Sequence, residues 1–564
     1  MSYYRDLREY IQTLEHEQKL QRIHAEINKD TELHPLVRWQ FCGLEEPQRK
    51  AFLFENVTDS RGRKYCDPVL VAGLAATKEI YALGMKCAAR DITERWSKAQ
   101  LHPVPPLVVE SGSVQEEIHD ANEIRTSGFD EFPIPISTPG YDNAPYLTAA
   151  HWITRDPQTG VRNMGNYRGQ VKAPDRLGIY CVSPDTHLAR HWNKCREMGR
   201  PLEAALVIGA VPAVSYAAVA KVPYGVDELS IAGGIAGEPI ELVRCRTVDL
   251  EVPATAEIVI EGVLPTDFME PEGPFGEAHG YMAAKSWAPC FIARCITHRR
   301  NPVWVSFLSQ FTPSESSKMK QVARESIVYK RVRYDERIEE LKEVGLIERA
   351  NSGRWCVLRM AQGTARERVW RALEAAADEG KGFALKIVVA VDEDIDPYNT
   401  ELVVWAMSAA IRPHQDLRVV TKRANVHDYE SVAPGERAAL APMISTVAKT
   451  HEASTLLVNG MRRGIYPPLS LSPKPYMERA KKLWEELGLP SLRPRTPWHG
   501  YSLGLWTDRD GEEAEAAVQG RYYETGKKLE YERKNPAELT VESKPQQTQD
   551  ARDGFGGMRS NNSN

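Results

Sequence analysis

Between residues 128 and 310 the chain carries short β-branched runs, at 178–182, 204–208, 239–244, 256–261 and 303–308, separated by loops rich in Gly, Pro and Asp. Strands this short and this often interrupted do not suit a regular parallel sheet, whose buried strands are joined by long crossovers. They fit a mixed or antiparallel barrel with crossing helices. No self-similar period recurs along the 564 residues, which disfavours a solenoid or propeller.

The flanks have another texture. Leu7, Tyr10, Ile11 and Leu14 recur at helical spacing, 19–27 alternates like a strand, and 67–74 reads as a strand feeding a helix at 76–83 that Gly84 ends. A further short helix is expected at 91–99. Helical periodicity then runs from 314 to 342, with Ile327, Val328, Val332, Ile338 and Leu341 as its apolar stripe. Beyond it, 357–360, 366–377 and 385–391 describe a strand, a helix and a buried strand closed by Asp392-Glu393-Asp394. After Trp506 the chain turns polar, and 544–564 lacks the apolar content to pack, so disorder is expected there.

Composition narrows the classes of partner. A hydrophobic content of 42% supports several cores, and the formal net charge is -5, from 72 Lys and Arg against 77 Asp and Glu. So balanced a chain offers no basic field to draw a phosphodiester backbone or an anionic leaflet, which argues against nucleic acid and membrane surfaces. Residues 1–6 open a charged segment without an apolar signal region, and no uncharged run approaches the ~18 residues of a membrane span. The nine cysteines are scattered, odd in number and free of any Cys-x-x-Cys pair; they read as reduced core thiols of a cytoplasmic protein.

Just past the run at 256–261 stand two acidic residues. The stretch Pro271-Glu272-Gly273-Pro274-Phe275-Gly276-Glu277-Ala278-His279-Gly280-Tyr281 sets two Gly and a Pro between Glu272 and Glu277, which stops a continuing helix or strand and lets the carboxylates converge on a tight loop. In a shared desolvated cleft their repulsion makes one hard to ionise, and that one stays available as a general acid. Taken alone, the loop is a surface turn with two solvated glutamates. Asn163 and Arg168 lie five residues apart, His187 follows the run at 178–182, and Pro223-Tyr224-Gly225-Val226-Asp227-Glu228 ends on a carboxylate after a turn. An imidazole, a carboxylate and an amide oxygen suit Mn²⁺ or Mg²⁺ when phosphate oxygens and water complete an octahedron. Each residue singly is ordinary, because a His after a strand is usually structural and Asn or Glu in a turn is usually a turn former.

Five segments occur in order: Asn163-x-x-x-x-Arg168, the Pro-x-Gly-Val-x-Glu run ending at Glu228, Glu-Leu-Val-x-Cys from Glu241 to Cys245, Val-Pro-Ala-Thr-Ala-Glu-Ile-Val-Ile-Glu-Gly over 252–262, and Pro-Glu-Gly-Pro-Phe-Gly-Glu over 271–277. Together they resemble the UbiD family of reversible decarboxylases. The resemblance extends upstream through Phe132-Pro133-Ile134-Pro135 and Ala144-Pro145-Tyr146-Leu147-Thr148. Downstream it runs through Trp405-Ala406-Met407-Ser408 and Arg412-Pro413, so that it covers about residues 5 to 490. An ordered set of this kind is far more specific than one glycine-rich match.

The resemblance implies a mixed α+β fold: an N-terminal α/β domain (1–125), a split β-barrel that binds the flavin (126–313), a linker helix (314–350), a C-terminal α/β domain (351–500) and a polar, partly disordered tail (501–564). It implies prenylated FMN, supplied by a flavin prenyltransferase and held through its phosphate by a divalent metal, usually manganese, with potassium nearby. Carried over by position, Asn163, His187 and Glu228 would hold metal and cofactor, and Arg168, Glu272 and Glu277 would be catalytic. Glu277 would donate the proton, Arg168 would anchor the departing carboxylate and contact the cofactor, and Glu272 would hold Arg168. The substrate implied is an aromatic or α,β-unsaturated carboxylate, free or as a CoA thioester such as phthaloyl-CoA, and the assembly a homo-oligomer, dimer or hexamer.

This chain departs from the family pattern twice. Ala217-Ala218-Val219-Ala220-Lys221-Val222 stands where relatives often place small hydroxyl residues near the flavin, and Thr455 falls near the position where some place a Lys on the cofactor phosphate. Phosphate neutralisation then rests more on the metal. Two other readings exist. A non-catalytic flavin or metal-binding homologue would be expected to lack one of Arg168, Glu272 and Glu277, and all are present. A flavin or nicotinamide oxidoreductase is prompted by Gly233-Gly234-x-x-Gly237, but those glycines precede Glu238-Pro239 rather than opening a helix after a buried strand.

Overall fold

Asp6 opens the first helix, Leu7–His16: its side chain accepts the Glu9 N–H at 2.9 Å, and Leu7, Tyr10, Ile11 and Leu14 fall on one buried face. The structure is a computed structural model and describes residues 3–180, 186–220, 222–277, 280–283, 285–350, 353–379, 385–423, 452–492, 494 and 496–536. Leu20–Ile23, Ala51–Phe54 and Val69–Val71 form an N-terminal sheet whose fourth strand, Trp304–Ser306, pairs in parallel with Val69–Val71. The run at 303–308, expected in the barrel, thus completes a different sheet. So does the run at 239–244, since Glu241–Arg244 pairs with Glu251–Pro253 and Leu107–Val108. A β-branched run marks a strand, but distant residues choose its partner.

Nine strands make the central sheet: β1 (Glu117–His119), β2 (Tyr146–Leu147), β3 (His151–Arg155), β4 (Arg162–Asn166), β5 (Gly169–Ala173), β6 (Arg176–Ile179), β7 (Leu202–Ile208), β8 (Ile258–Leu264) and β9 (Cys290–His298). They run in the order β4-β3-β7-β8-β9-β6-β5-β2, with β1 on β9 and every pair antiparallel. β4 is one edge and β5 lies next to the other, yet only Tyr167 and Arg168 separate them in the chain. The sheet must therefore curl until its ends nearly meet. Residues 181–182 of the expected strand at 178–182 lie outside the described residues.

Two helices follow from the barrel loops, α1 (His187–Glu197) and α2 (Glu228–Ala236). Gly233 and Gly234 sit inside α2, where a Cβ would come within 2.3 Å of Val104 O and 2.8 Å of Ala99 O, so these glycines serve close packing. α3 (Glu315–Lys330) is opened by Ser314 and Ser317 in a reciprocal cap. It is shorter than the periodicity suggested. A π turn, Arg331–Asp335, ends it, and Leu341–Leu346 is a strand paired antiparallel with Trp355–Met360. That strand is the edge of a five-stranded sheet that continues through Ile387–Asp392, Glu452–Asn459 and Leu417–Arg423. The three inner strands are parallel, with the helix Arg366–Glu379 between two of them in sequence.

The chain divides into two compact units, Met1–Glu393 with Arg412–Gly460, and Asp394–Ile411 with Met461–Asn564. The second unit contains the helices Thr400–Ala410, Lys474–Glu486, Asp508–Val518 and Tyr522–Glu530. The last two lie in the stretch read as a polar, partly disordered tail, for which no helix was expected, and Thr507 and Asp510 cap one of them reciprocally. The stretch expected to be disordered, 544–564, lies outside the described residues. Among the described residues no helix is long and apolar enough to cross a membrane. Eight cysteines are described as free thiols; contrary to the expectation of core thiols throughout, Cys42 and Cys66 are exposed.

Candidate active site

The two-residue connector from β4 to β5 puts Arg168 at the seam of the curled sheet. Its Nε donates to Glu272 Oε1 at 2.8 Å and its Nη2 to Glu272 Oε2 at 2.6 Å, while Nη1 donates to Glu277 Oε1. The guanidinium carbon lies 4.0 Å from the Tyr180 ring centre and 4.9 Å from that of Phe275. Burial works against the charge of Arg168, but the carboxylates of Glu272 and Glu277 hold its pKa above the ordinary value. The doubled bond to Glu272 also fixes the plane of the guanidinium.

The glutamates ride on two short ladders. Glu270–Glu272 pairs with Ser286–Ala288 and Phe275–Gly276 with Met282–Ala283, so strand pairing resumes on both sides of the break expected at Gly273-Pro274. Gly273 makes that break with a φ of +102°, which a side chain would resist. Strand β5 and its neighbour β2 hold it: Gln170 Nε2 donates to Gly273 O at 3.3 Å, Lys172 Nζ to Pro271 O at 2.6 Å, and the Tyr146 hydroxyl to Pro274 O at 3.1 Å. Gln170 and Lys172 alternate along β5 and so share a face, and Arg168 stands just before the strand.

Exposure separates the three charged groups. The Glu272 side chain is 0% exposed, that of Arg168 6% and that of Glu277 15%. Glu277 is thus the member open to water. Arg168 bonds to both carboxylates, and its charge relieves the repulsion that two carboxylates alone in a shared desolvated cleft would feel. A third carboxyl, Asp142, accepts the Thr138 N–H at 2.6 Å. Burial pushes it up to about 6, against the pull of the Thr138 N–H and of Arg168.

Asn163 of β4, His187 at the start of α1 and Glu228 at the start of α2 also meet. His187 Nδ1 lies 2.9 Å from Asn163 Oδ1 and 3.7 Å from Glu228 Oε1, while Glu228 Oε2 accepts the Met164 N–H at 2.8 Å. Burial raises the Glu228 carboxyl above its ordinary range, although His187 and the Met164 N–H both favour its charge. Among the described residues the Nδ2 of Asn163 is buried with no hydrogen-bond partner, while its Oδ1 lies against His187. Two oxygens and an imidazole nitrogen converging on one point fit a divalent ion that keeps open positions. No group of three His, Cys, Asp or Glu gathers among the described residues; the third donor here is an amide.

Residues 107–310 match the 3-octaprenyl-4-hydroxybenzoate carboxy-lyase Rift-related domain of UbiD, and residues 319–443 match the corresponding C-terminal domain. The chain belongs to the UbiD family. The UbiD-class enzyme HmfF from Pelotomaculum thermopropionicum, in complex with FMN, is 32% identical with a TM-score of 0.70, over 81% of this chain and 94% of HmfF. An evolved dimeric form of HmfF in complex with prFMN is 31% identical, TM-score 0.69, over 81% and 95%. The closed form of vanillic acid decarboxylase from Sedimentibacter hydroxybenzoicus is 25% identical, TM-score 0.69, over 86% of this chain and 100% of that one. An uncharacterised protein of Archaeoglobus fulgidus is 30% identical over 433 residues, 74% of this chain and 86% of its own. Its family makes the chain a carboxy-lyase, and the curled sheet within an α+β frame is the UbiD fold.

Within this UbiD chain, all six residues singled out in the sequence fall into two groups, Arg168 with Glu272 and Glu277, and Asn163 with His187 and Glu228. Sequence reasoning passed over Gln170, Lys172 and Asp142. The alternation of polar residues at 168, 170 and 172 was a usable signal for the first two. Nothing adjacent in sequence marks Asp142 as a neighbour of Arg168.

Proposed function

We propose that this chain is a prenylated-FMN-dependent, reversible decarboxylase of an aromatic or α,β-unsaturated carboxylate, taken as the free acid or as a CoA thioester. The HmfF structure with prFMN, at 31% identity, supports the cofactor. Asn163, His187 and Glu228 would hold a divalent metal, Mn²⁺, against the cofactor phosphate, with K⁺ beside it. Decarboxylation leaves an electron pair on carbon, and the bound cofactor supplies the electron sink that no unmodified side chain provides.

The chain's own residues do the rest. Arg168 takes the substrate carboxylate, and Glu272, buried and doubly bonded, keeps its guanidinium from rotating. The buried rings of Tyr146 and Phe275, 4.6 Å apart, help exclude water around the reacting carbon. Glu277, to which Arg168 gives a single nitrogen and whose side chain is part-exposed, delivers the proton and recovers one from water. That asymmetry in the partners of Arg168 is the observation that carries the reading. A flavin prenyltransferase supplies the cofactor, the enzyme works in the cytoplasm, and it assembles as a homo-oligomer, a dimer or hexamer.

The deciding experiment replaces Glu277 with Gln in protein produced alongside a flavin prenyltransferase. Carbon dioxide release and solvent-deuterium incorporation into product both fall by at least about 100-fold, the upper range for one general acid, while the flavin absorbance persists. Normal turnover by the variant removes Glu277 from the acid role.

A further inference from the structure

His119 ends β1 and His298 ends β9, and the two stand on one face of an antiparallel pair in which Ile118 is opposite Thr297. Their Nε2 atoms lie 2.8 Å apart, and with ring centres 5.0 Å apart and ring planes 24° from parallel the two nitrogens point at each other almost in line. The second nitrogen of each ring decides what lies between them. His298 Nδ1 is 2.7 Å from the Arg299 carbonyl, which can only accept, so Nδ1 carries the hydrogen and a neutral His298 has a bare Nε2. His119 Nδ1 faces Glu131 Oε2 at 3.5 Å, another acceptor, while the other Glu131 oxygen takes the Ser127 hydroxyl. With both rings neutral a lone pair must face an acceptor, at His298 if His119 carries its hydrogen on Nδ1 and at Glu131 if it carries it on Nε2. One added proton removes the conflict, because each of the three contacts then has one hydrogen. A second brings it back, since two N–H groups would meet head-on. A metal ion in place of the proton does not fit: two bonds of about 2.0 Å at a tetrahedral angle hold their nitrogens about 3.3 Å apart.

The surroundings favour a single charge. Burial foremost, and then the neighbouring His119, push His298 below its usual range, whereas the Arg299 carbonyl, Glu117 and Glu131 act the other way. Glu117, on β1, pairs with Arg300, and Asp130, beside Glu131, pairs with Arg61. Asp67, half-buried ahead of the strand Val69–Val71, is raised to about 6 by burial and by Glu131 and Glu257. The Arg299 guanidinium is turned to Asp6 and Glu257, and the helix Ala121–Thr126 keeps its charged Glu123 and Arg125 exposed. β1, that helix and the turn Gly128–Glu131 follow one another in the chain, and they meet the barrel at β9 and, through the Phe129 N–H on Pro174 O at 3.0 Å, at the β5–β6 turn. We propose that His119 and His298 share one proton and act as a pH-dependent latch on residues 117–131, closed while the pair holds a single proton and loosened when that proton is lost or a second is added. None of these residues belongs to the two groups of the candidate active site, so the latch stands apart from the decarboxylase reading.

The test reads the local opening of residues 117–131 in the full chain, by hydrogen exchange and mass spectrometry from about pH 5 to about pH 9, with rates corrected for the intrinsic dependence of exchange on pH. Opening is least in the middle of that range and rises by about tenfold toward either end, the worth of one charge-assisted hydrogen bond, while the amides of β7 and β8 show no such profile. His119→Gln abolishes the rise toward alkaline pH, because its amide gives or takes a hydrogen bond at His298 Nε2 but holds no titrating proton. Far-ultraviolet circular dichroism establishes that the variant is folded. Wild-type protein isotope-labelled at histidine Cε1 gives a second reading that needs no variant: in nuclear magnetic resonance, two of the imidazole signals each respond to both protonation steps, as members of one pair. A flat wild-type exchange profile, an alkaline rise that persists in His119→Gln, or imidazole signals that all titrate singly and independently overturns the proposal.

Discussion

Arg168 can serve as an anchor because its two carboxylate partners differ. Glu272 engages both an Nε and an Nη donor and is shut off from water, so it sets orientation; Glu277 engages one and keeps a path to solvent. A similar division holds for Glu228, where one oxygen is committed to the Met164 N–H and the other faces His187. That leaves Asn163, His187 and Glu228 with one donor each for a shared ion. His187→Ala removes the only nitrogen donor and leaves two oxygens, which hold a hard divalent ion weakly. Mn²⁺ affinity, read as free Mn²⁺ by electron paramagnetic resonance, is expected to fall by about 100-fold or more, with far-ultraviolet circular dichroism unchanged. Undiminished affinity would show that the three residues meet for packing alone. Five of these six residues were legible because they lie in ordered motifs, and His187 was singled out by its place after the run at 178–182. Asp142 was not, since only folding carries the loop at 142 to the Arg168 guanidinium.

Among the elements, the β4–β5 connector sets the position of Arg168. The connector was readable as Asn163-x-x-x-x-Arg168, but its role in curling the sheet was not, because strand order is a property of pairing between distant segments. The long helical periodicity over 314–342 misled for a related reason: Ile338 and Leu341 fit the stripe, yet both are buried outside the helix, Leu341 as the first residue of a strand. α3 itself is bound to the N-terminal sheet by Glu315, whose carboxylate accepts the N–H groups of Ala72 at 2.8 Å, Leu74 at 3.1 Å and Leu308 at 3.3 Å. Ala72 adopts a φ of +61° next to that contact. Glu315→Ala withdraws the acceptor from all three, at about 1–3 kcal/mol for each buried N–H left unpaired. Burial outweighs these donors and raises the carboxyl from 4.5 to about 7. Between those pH values the folded chain keeps a proton that the unfolded chain has released, so this group's stabilisation falls as pH rises and is exhausted above about 7. The penalty of Glu315→Ala is therefore larger at pH 5 than at pH 8, by up to about 3 kcal/mol. Urea midpoints of wild type and variant at the two pH values test it; a penalty independent of pH would mean that Glu315 is ionised at both.

For the molecule as a whole, the first unit holds both groups of site residues and every sheet named above, and one continuous apolar core joins its buried residues from Tyr3 to Val322. β7 and β8 pair residue for residue over seven positions, from Leu202 with Leu264 to Ile208 with Ile258, and every residue of β8 is buried. The second unit contrasts with it. None of the residues of Lys474–Glu486, Asp508–Val518 or Tyr522–Glu530 is buried, so these helices are held by local bonds, and in Asp508–Val518 by a cap, rather than by a core. Composition read 501–564 as a tail because its residues are polar, but Ala and Glu favour helix without demanding burial, and Thr507-x-x-Asp510 was the start signal that went unread. Stability should then be uneven along the chain. In hydrogen exchange followed by mass spectrometry at low urea, amides of 474–486, 508–518 and 522–530 are expected to exchange through local opening while those of 202–208 and 258–264 wait for global unfolding. The exposed Leu483, Leu487 and Tyr523 give this measurement its second edge. If the three helices resist exchange as long as the barrel strands do, their apolar side chains must be covered in solution by another surface, because nothing among the described residues of their own unit buries them.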